Sequence, residues 1–301
     1  MSFENLKYNF FLKFFKNKKK LIWTLKNNLF KNEVCPPTIS VVKLSKNTIL
    51  GKKNERMFIV NDSYQSWNII NDFNFQNEFI RKVKSITKKN TKYDFIDIGA
   101  NIGIMSKCLL NNKVNISNTY CVEPNKDNFF CLKNNLKKYK RVKLFNFALS
   151  NKRENKKLYL DQNNKGNLSF YYEMIKKDKL SFMNTPNNYE NIKCESIKNF
   201  FRSIRINKNI IKIDTQGYDE MIFQEIPKNV IKKNQILIIE ITPLNSKKIN
   251  FKKFEKNLEN YKKFTDFEGN KYNIKEVIEL SKKIYEKNID LIFLKKKFFT
   301  N

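Results

Sequence analysis

Residues 94–103, Asp-Phe-Ile-Asp-Ile-Gly-Ala-Asn-Ile-Gly, constrain this chain more than any other stretch. The apolar run Tyr93–Ile98 reads as a strand. It meets Gly99 and Gly103 in a tight turn, then the helical pattern Ile104–Leu110. About twenty residues after the first glycine, a second strand (Thr119–Val122) ends in Glu123-Pro124. Strand, turn, helix and strand make a βαβ unit, whose crevice suits an adenosine-bearing cofactor.

Each residue type has a physical job in that unit. Gly99 allows a sharp turn and close backbone approach, and Gly103 allows close packing of helix on strand. The open amides of the helix start favour an anionic group. Glu123 can accept hydrogen bonds from both ribose hydroxyls. A dinucleotide site would show Gly-x-Gly-x-x-Gly, whereas this chain has Asp97-x-Gly99-x-x-x-Gly103. The extra carboxylate suits a cofactor without pyrophosphate that carries a positive centre. S-adenosylmethionine fits, with Asp97 expected near its ammonium and sulfonium end.

Composition removes several function classes. There is no histidine, so a histidine base, a histidine metal site and a Ser-His-Asp triad are all excluded. The five cysteines (Cys35, Cys108, Cys121, Cys131, Cys194) include no Cys-x-x-Cys, which argues against zinc and against a disulfide framework. A reducing cytoplasm is the expected compartment. Cys108, Cys121 and Cys131 are expected to be buried apolar residues. The net charge of +31 attracts polyanions, but Lys, Asn, Ile and Phe are over-used together, as an AT-rich genome alone would produce.

Residues 1–35 alternate aromatics and lysines. Two readings stand: a basic amphipathic helix peripheral to the inner membrane face, or a helix packed on the catalytic domain or a partner chain. No apolar run is long enough to span a bilayer. Cys35-Pro36-Pro37 ends this segment. Val41–Leu44, Thr48–Leu50 and Met57–Val60 read as short strands, and Asn74–Ile86 as a helix. Residues 1–90 thus form an accessory segment ahead of a domain over 91–301. Within that domain a helix from about Asn125 buries Phe129, Leu132 and Leu136, and Val142–Phe147 is a third strand. Residues 151–200 read as irregular, with strand pieces at Leu158–Leu160 and Ile192–Cys194 and a helix at Ile197–Ile204. Substrate loops are expected there. Asn209–Ile213 and Gln235–Ile239 are uninterrupted apolar strands, as in a parallel sheet buried on both faces. The tail reads as helices (Phe251–Lys263, Ile274–Lys287) and a last strand, Asp290–Leu294.

Four acids, Asp97, Glu123, Asp214 and Glu240, therefore stand at the carboxyl ends of four strands and are expected to line one crevice. Helix capping is the competing role for any one of them. The ordered series Asp97-Ile-Gly-Ala-Asn-Ile-Gly103, Val122-Glu-Pro-Asn125, Asn146-Phe-Ala-Leu-Ser150, Asn167-Leu-Ser169, Ile211-Lys-Ile-Asp214-Thr-Gln-Gly217-Tyr-Asp219, Ile238-Ile-Glu240 and Asp290-Leu-Ile-Phe-Leu294 resembles the FkbM family of S-adenosylmethionine-dependent methyltransferases over roughly residues 91–295.

The resemblance implies a Rossmann-like class I methyltransferase fold, α/β, with a seven-stranded mostly parallel sheet whose last strand is antiparallel. It implies O-methylation of a small molecule, glycan or lipid-linked sugar. By position, Asp97, Gly99, Ala100, Asn101 and Gly103 correspond to the methionine-side loop, and Glu123 with Pro124 to the ribose site. Asn146 and Ala148 correspond to the adenine edge, and Asp214 to the acid beside the methyl group. Asp219 stands where many relatives carry Glu. Asp214, Glu240 and Lys212 are the candidate catalytic groups, as base or as its support. Two acids do not fill an octahedral metal shell, so no metal is expected. Phe170, Tyr171, Tyr172 and Asn167 either stack on a sugar or lipid head or cover the core. RNA methylation is the alternative that the charge raises. Asp214-Thr-Gln-Gly217 argues against it, since base-amine methyltransferases carry Asp/Asn-Pro-Pro-Tyr/Phe there.

Overall fold

The computed structural model describes residues 38–44, 46–61, 63–70, 77–161, 164–176, 186–242, 249–282 and 288–295. The expected helix within 1–35 lies outside these. An antiparallel hairpin of β1 (Ile39–Lys43) and β2 (Arg56–Val60) leads to α1 (Tyr64–Ile70) and α2 (Asn77–Ile86). The βαβ unit follows as β3 (Tyr93–Ile98), α3 (Ile104–Asn111) and β4 (Ile116–Val122), then α4 (Lys126–Leu136) and β5 (Val142–Phe145). Next come β6 (Ala148–Ser150), β7 (Glu154–Leu160), β8 (Leu168–Ser169), α5 (Tyr172–Lys176), β9 (Tyr189–Ser196) and α6 (Ile197–Ser203). The chain then returns to the main sheet with β10 (Asn209–Ile213), α7 (Asp219–Glu225), α8 (Lys228–Lys233) and β11 (Asn234–Ile241). It ends in α9 (Phe251–Leu258), β12 (Tyr261–Asp266), β13 (Lys271–Tyr272), α10 (Ile274–Lys282) and β14 (Ile289–Lys295).

The main sheet runs β13-β12-β14-β11-β10-β3-β4-β5. Strands β5, β4, β3, β10 and β11 are parallel, and β14 is antiparallel to both β11 and β12. Seven of these strands, with β14 antiparallel, match the sheet that the resemblance implied, and the two-residue edge strand β13 extends it. The inner strands are apolar on both sides because both faces are covered. Ile96, Ile98, Ile211 and Ile213 face one apolar cluster, which takes in Phe200, Ile222, Phe223 and Phe254. Tyr93, Phe95 and Ile210 face a second cluster with Ile39, Met57, Ile59, Phe79, Val83 and Leu109. That second cluster crosses residue 90, so the hairpin and α2 share a core with the sheet.

Polar bonds fasten the hairpin to the same helices. Asn135 of α4 accepts from the Phe58 amide (2.7 Å) and donates to the carbonyls of Phe58 (2.8 Å) and Ile102 (2.9 Å). The ammonium of Lys107, almost wholly buried, pairs with Glu55 at 2.5 Å.

Several elements differ from the sequence reading. The third strand stops at Phe145, and Ala148–Ser150 leaves it to join another sheet. Thr48 makes a single bridge to Gly51 instead of a strand. The helix expected over 251–263 ends at Leu258, because residues 261–266 take up strand pairing with β14. The largest difference is in residues 151–200. They include most of a four-stranded sheet, β6-β9-β7-β8, whose lysine-rich strands hide their alternation.

Candidate active site

Each wall of the site follows from how the strand ends turn. β3 ends at Gly99 with φ of 78°, and a Cβ there would overlap the carbonyl oxygen of Asp214. Glycine is required because β10 lies alongside β3, with the Asp214 amide bonded to Ile98 O at 3.0 Å. Gly103 has φ of 86° and a different neighbour. A Cβ there would press on Leu132 at 2.7 Å, so this glycine fits the start of α3 against α4 and not against a strand.

Glu123 ends β4, buried, with each carboxylate oxygen fixed by a backbone amide. Asn101 N lies 2.8 Å from Oε2 and Asn125 N lies 3.0 Å from Oε1. Burial pushes its carboxyl up to about 7, although both amides work in the opposite direction. Asn125 caps α4 through Asn128 N, which sets the angle at which the helix leaves the site. A pocket opens over these strand ends. Gly99, Asn101, Glu123, Pro124, Ala148 and Asp214 line it, together with Leu158 and Leu168 of the second sheet and Phe170 just after β8. Apolar side chains beside an anchored carboxylate suit a purine nucleoside.

A second cleft lies on the side of the sheet that carries α2 and α3. Gln65, Gly99, Asn101, Asp214 and Gln216 line both spaces and form the wall between them. Lys212 Nζ sits in this region, nearly inaccessible, 3.1 Å from Asp214, 3.5 Å from Asp97 and 3.4 Å from Gly99 O. Burial alone would lower its pKa, but the carboxylates of Asp214 and Asp97 outweigh burial and raise it, so the ammonium stays charged. Glu240 faces the cleft and accepts from Thr242 Oγ1 (3.2 Å) and Asn288 (3.3 Å). Burial, then the charge of Asp214, raises its carboxyl well above the usual range.

The four strand-end acids thus occupy different places. Glu123 lines the first pocket, Glu240 the second cleft, and Asp214 both. Asp97 lines neither. It is fully buried under the turn, bonded by Ser106 Oγ at 2.6 Å and paired with Lys212. Ala100 lines the cleft. Asn146 lies behind the pocket, donating to the carbonyls of Glu123 (2.9 Å) and Pro124 (3.1 Å). The aromatic group at 170–172 packs inward. Phe170 meets Tyr218 edge-on at 5.1 Å, Tyr171 stacks on Tyr218 at 6.2 Å, and Tyr172 meets Tyr159 at 5.7 Å.

Three residues stand in the series that carried the family resemblance but were not read as site residues. Asp219 holds the turn after β10 by accepting from Thr215 N (2.7 Å) and Gly217 N (2.9 Å), and burial followed by the charge of Asp214 takes its carboxyl to about 7. Gln216, with φ of 54°, donates to Asp214 Oδ1 at 2.9 Å. Asp290 faces Glu240 from the neighbouring strand. Only Asp219 had a local signal, since it follows Gly217 at the helix start.

Among solved structures, an FkbM methyltransferase from Methylobacillus flagellatus shares 13% identity over 68% of this chain and 44% of its own, with a TM-score of 0.34. This chain thus spans under half the length of that protein. A putative RNA methyltransferase from Pyrococcus horikoshii shares 14% identity over 74% of this chain and 83% of its own, with a TM-score of 0.36. TrmK of M. capricolum, solved with S-adenosyl-homocysteine, shares 15% over 73% and 68%, with a TM-score of 0.33. No curated protein matches. The profile described as "Methyltransferase FkbM domain" matches residues 97–267, more than half of the sequence, and by that match the chain belongs to the FkbM methyltransferase family.

Proposed function

We propose that this chain transfers a methyl group from S-adenosylmethionine to a hydroxyl oxygen of a small polar acceptor, such as a glycan or lipid-linked sugar. The observation that carries the reading is the pair of spaces sharing one wall at Gly99, Asn101, Asp214 and Gln216. One takes a nucleoside, the other an acceptor. When bound, S-adenosylmethionine supplies a methyl group already activated by a sulfonium.

The chain's own residues then have defined tasks. Glu123 receives the ribose hydroxyls, and Leu158, Leu168 and Phe170 cover the adenine side and exclude water. Asp214 stands at the shared wall, where an acceptor oxygen needs to be placed in line at about 3 Å from the reacting carbon. It is the group positioned to take the hydroxyl proton, and Gln216 and Lys212 fix its two oxygens. Lys212, held charged, supports this role and is not itself the base. Nucleic acid fits the second cleft poorly, because Asp214, Glu240 and Asp290 would face a phosphate backbone.

Calorimetric titration with S-adenosylhomocysteine tests the assignment. Binding is expected for the unsubstituted chain, weakened about tenfold or more in Glu123→Ala. An unchanged affinity in that variant would remove Glu123 from the site.

A further inference from the structure

Asp97, the acid expected beside the ammonium of the cofactor, is engaged elsewhere. It lies under the turn, bonded by Ser106 and paired with Lys212. The wall shared by the pocket and the cleft offers other acceptors, and most of them are occupied. Gly99 O accepts from Lys212 at 3.4 Å, and Asp214 is held by Gln216 at 2.9 Å and by Lys212 at 3.1 Å. Asn101 Oδ1 accepts from the Ile102 amide at 2.8 Å.

Gln65 completes that wall, and it comes from outside residues 97–267 that match the family. It stands on α1, whose start is tied to the end of β2. Ser66 Oγ donates to Val60 O at 2.6 Å, and Ser63 Oγ accepts from Ser66 N at 3.1 Å. On its other side Ser63 adjoins Gly166, whose carbonyl accepts from Asn101 Nδ2 at 3.3 Å. The accessory segment, the glycine turn after β3 and the loop before β8 therefore meet beside Gln65. Its carbonyl oxygen, Oε1, is shut off from solvent, and among the described residues nothing donates to it. A buried acceptor left without a donor costs free energy, and native proteins keep few of them. Asn128 and Thr215 also bring buried polar atoms to the pocket, but those interact with the carboxylates of Glu123 and Asp219.

Resting on the reading of the first pocket as the cofactor site, we infer that Gln65 Oε1 receives the ammonium of the cofactor's methionine chain. The accessory segment then supplies part of the cofactor site itself. An ammonium brings three donors and no acceptor, which suits a lone carbonyl oxygen, whereas the carboxylate of the same chain would be repelled by it. The bond is charge-assisted, so it is among the stronger ones available to a neutral side chain.

Isothermal calorimetry on the full chain tests this with three probes. S-adenosylhomocysteine carries the ammonium, its desamino analogue lacks only that group, and methylthioadenosine lacks the whole amino-acid end. Gln65→Met keeps the length of the side chain and removes the acceptor. It is expected to weaken S-adenosylhomocysteine about tenfold and to leave the other two probes within about twofold. Gln65→Glu keeps an acceptor and adds a negative charge, so it is expected to prefer S-adenosylhomocysteine over the desamino analogue at least as strongly as the unsubstituted chain does. Unchanged binding of S-adenosylhomocysteine by Gln65→Met overturns the inference. So does a Gln65→Glu variant that loses the preference for the amine, which is the result expected if this side chain serves the carboxylate instead. Should Gln65→Met lose all three probes alike, as a misfolded variant would, the Gln65→Glu preference decides. The unsubstituted chain separates the two proposals. If neither S-adenosylhomocysteine nor methylthioadenosine binds, the methyl-transfer reading fails; if both bind and the Gln65 variants do not discriminate among the probes, the assignment of Gln65 alone fails.

Discussion

Glu123 shows how one side chain can be held ready for a ligand. Its two oxygens are oriented by the Asn101 and Asn125 amides, and burial keeps its carboxyl near 7. Hydroxyl donors from a ribose favour the ionised form, so binding lowers this pKa. The sign follows directly. Near neutral pH the free protein holds a fraction of a proton here, and the complex releases it. Titration of S-adenosylhomocysteine at pH 7 in buffers of different ionisation enthalpy is expected to show net proton release. Affinity should fall as the pH drops from 8 to 6, as the carboxyl takes its proton. The residues of this part of the site were legible because their signal is local: an apolar strand, a glycine turn and an acid at a fixed spacing. Asp97 was legible in place but not in direction. Its position two residues before the turn sends the side chain under the loop, against Ser106 and Lys212. Asp290 had no local signal, since its meeting with Glu240 depends on the register of an antiparallel strand far along the chain.

At the scale of elements, the parallel strands were readable because burial on both faces demands uninterrupted Ile, Leu and Val. The second sheet was not. In β7, Glu154–Leu160, only Leu158 is fully buried, and Lys156 and Lys157 come directly before it. Such a strand is defined by its partners β8 and β9, not by its own composition. The hairpin illustrates the same dependence on partners. Asn135 satisfies both backbone groups of Phe58 and one carbonyl of the turn before α3, with no water-exposed alternative. Asn135→Ala is expected to cost about 3 kcal/mol, because three buried polar groups lose their partner together. A urea unfolding series that shows a lower midpoint with an unchanged slope would report this loss.

For the whole molecule, one apolar cluster joins Ile39, Met57, Ile59 and Val83 to Phe95, Leu109 and Ile210, across residue 90, where the sequence reading drew a boundary. A chain beginning at residue 91 would bare that face of the sheet. It is expected to lose cooperative thermal unfolding, as followed by circular dichroism, rather than to fold as a separate domain.

The thin partition of Gly99, Asn101, Asp214 and Gln216 has a consequence for inhibitor chemistry. A nucleoside thioether joined through a short tether to a hydroxyl-bearing fragment would straddle both chambers as a single guest. Such a guest surrenders its freedom of motion once instead of twice, so it should outcompete either half offered alone.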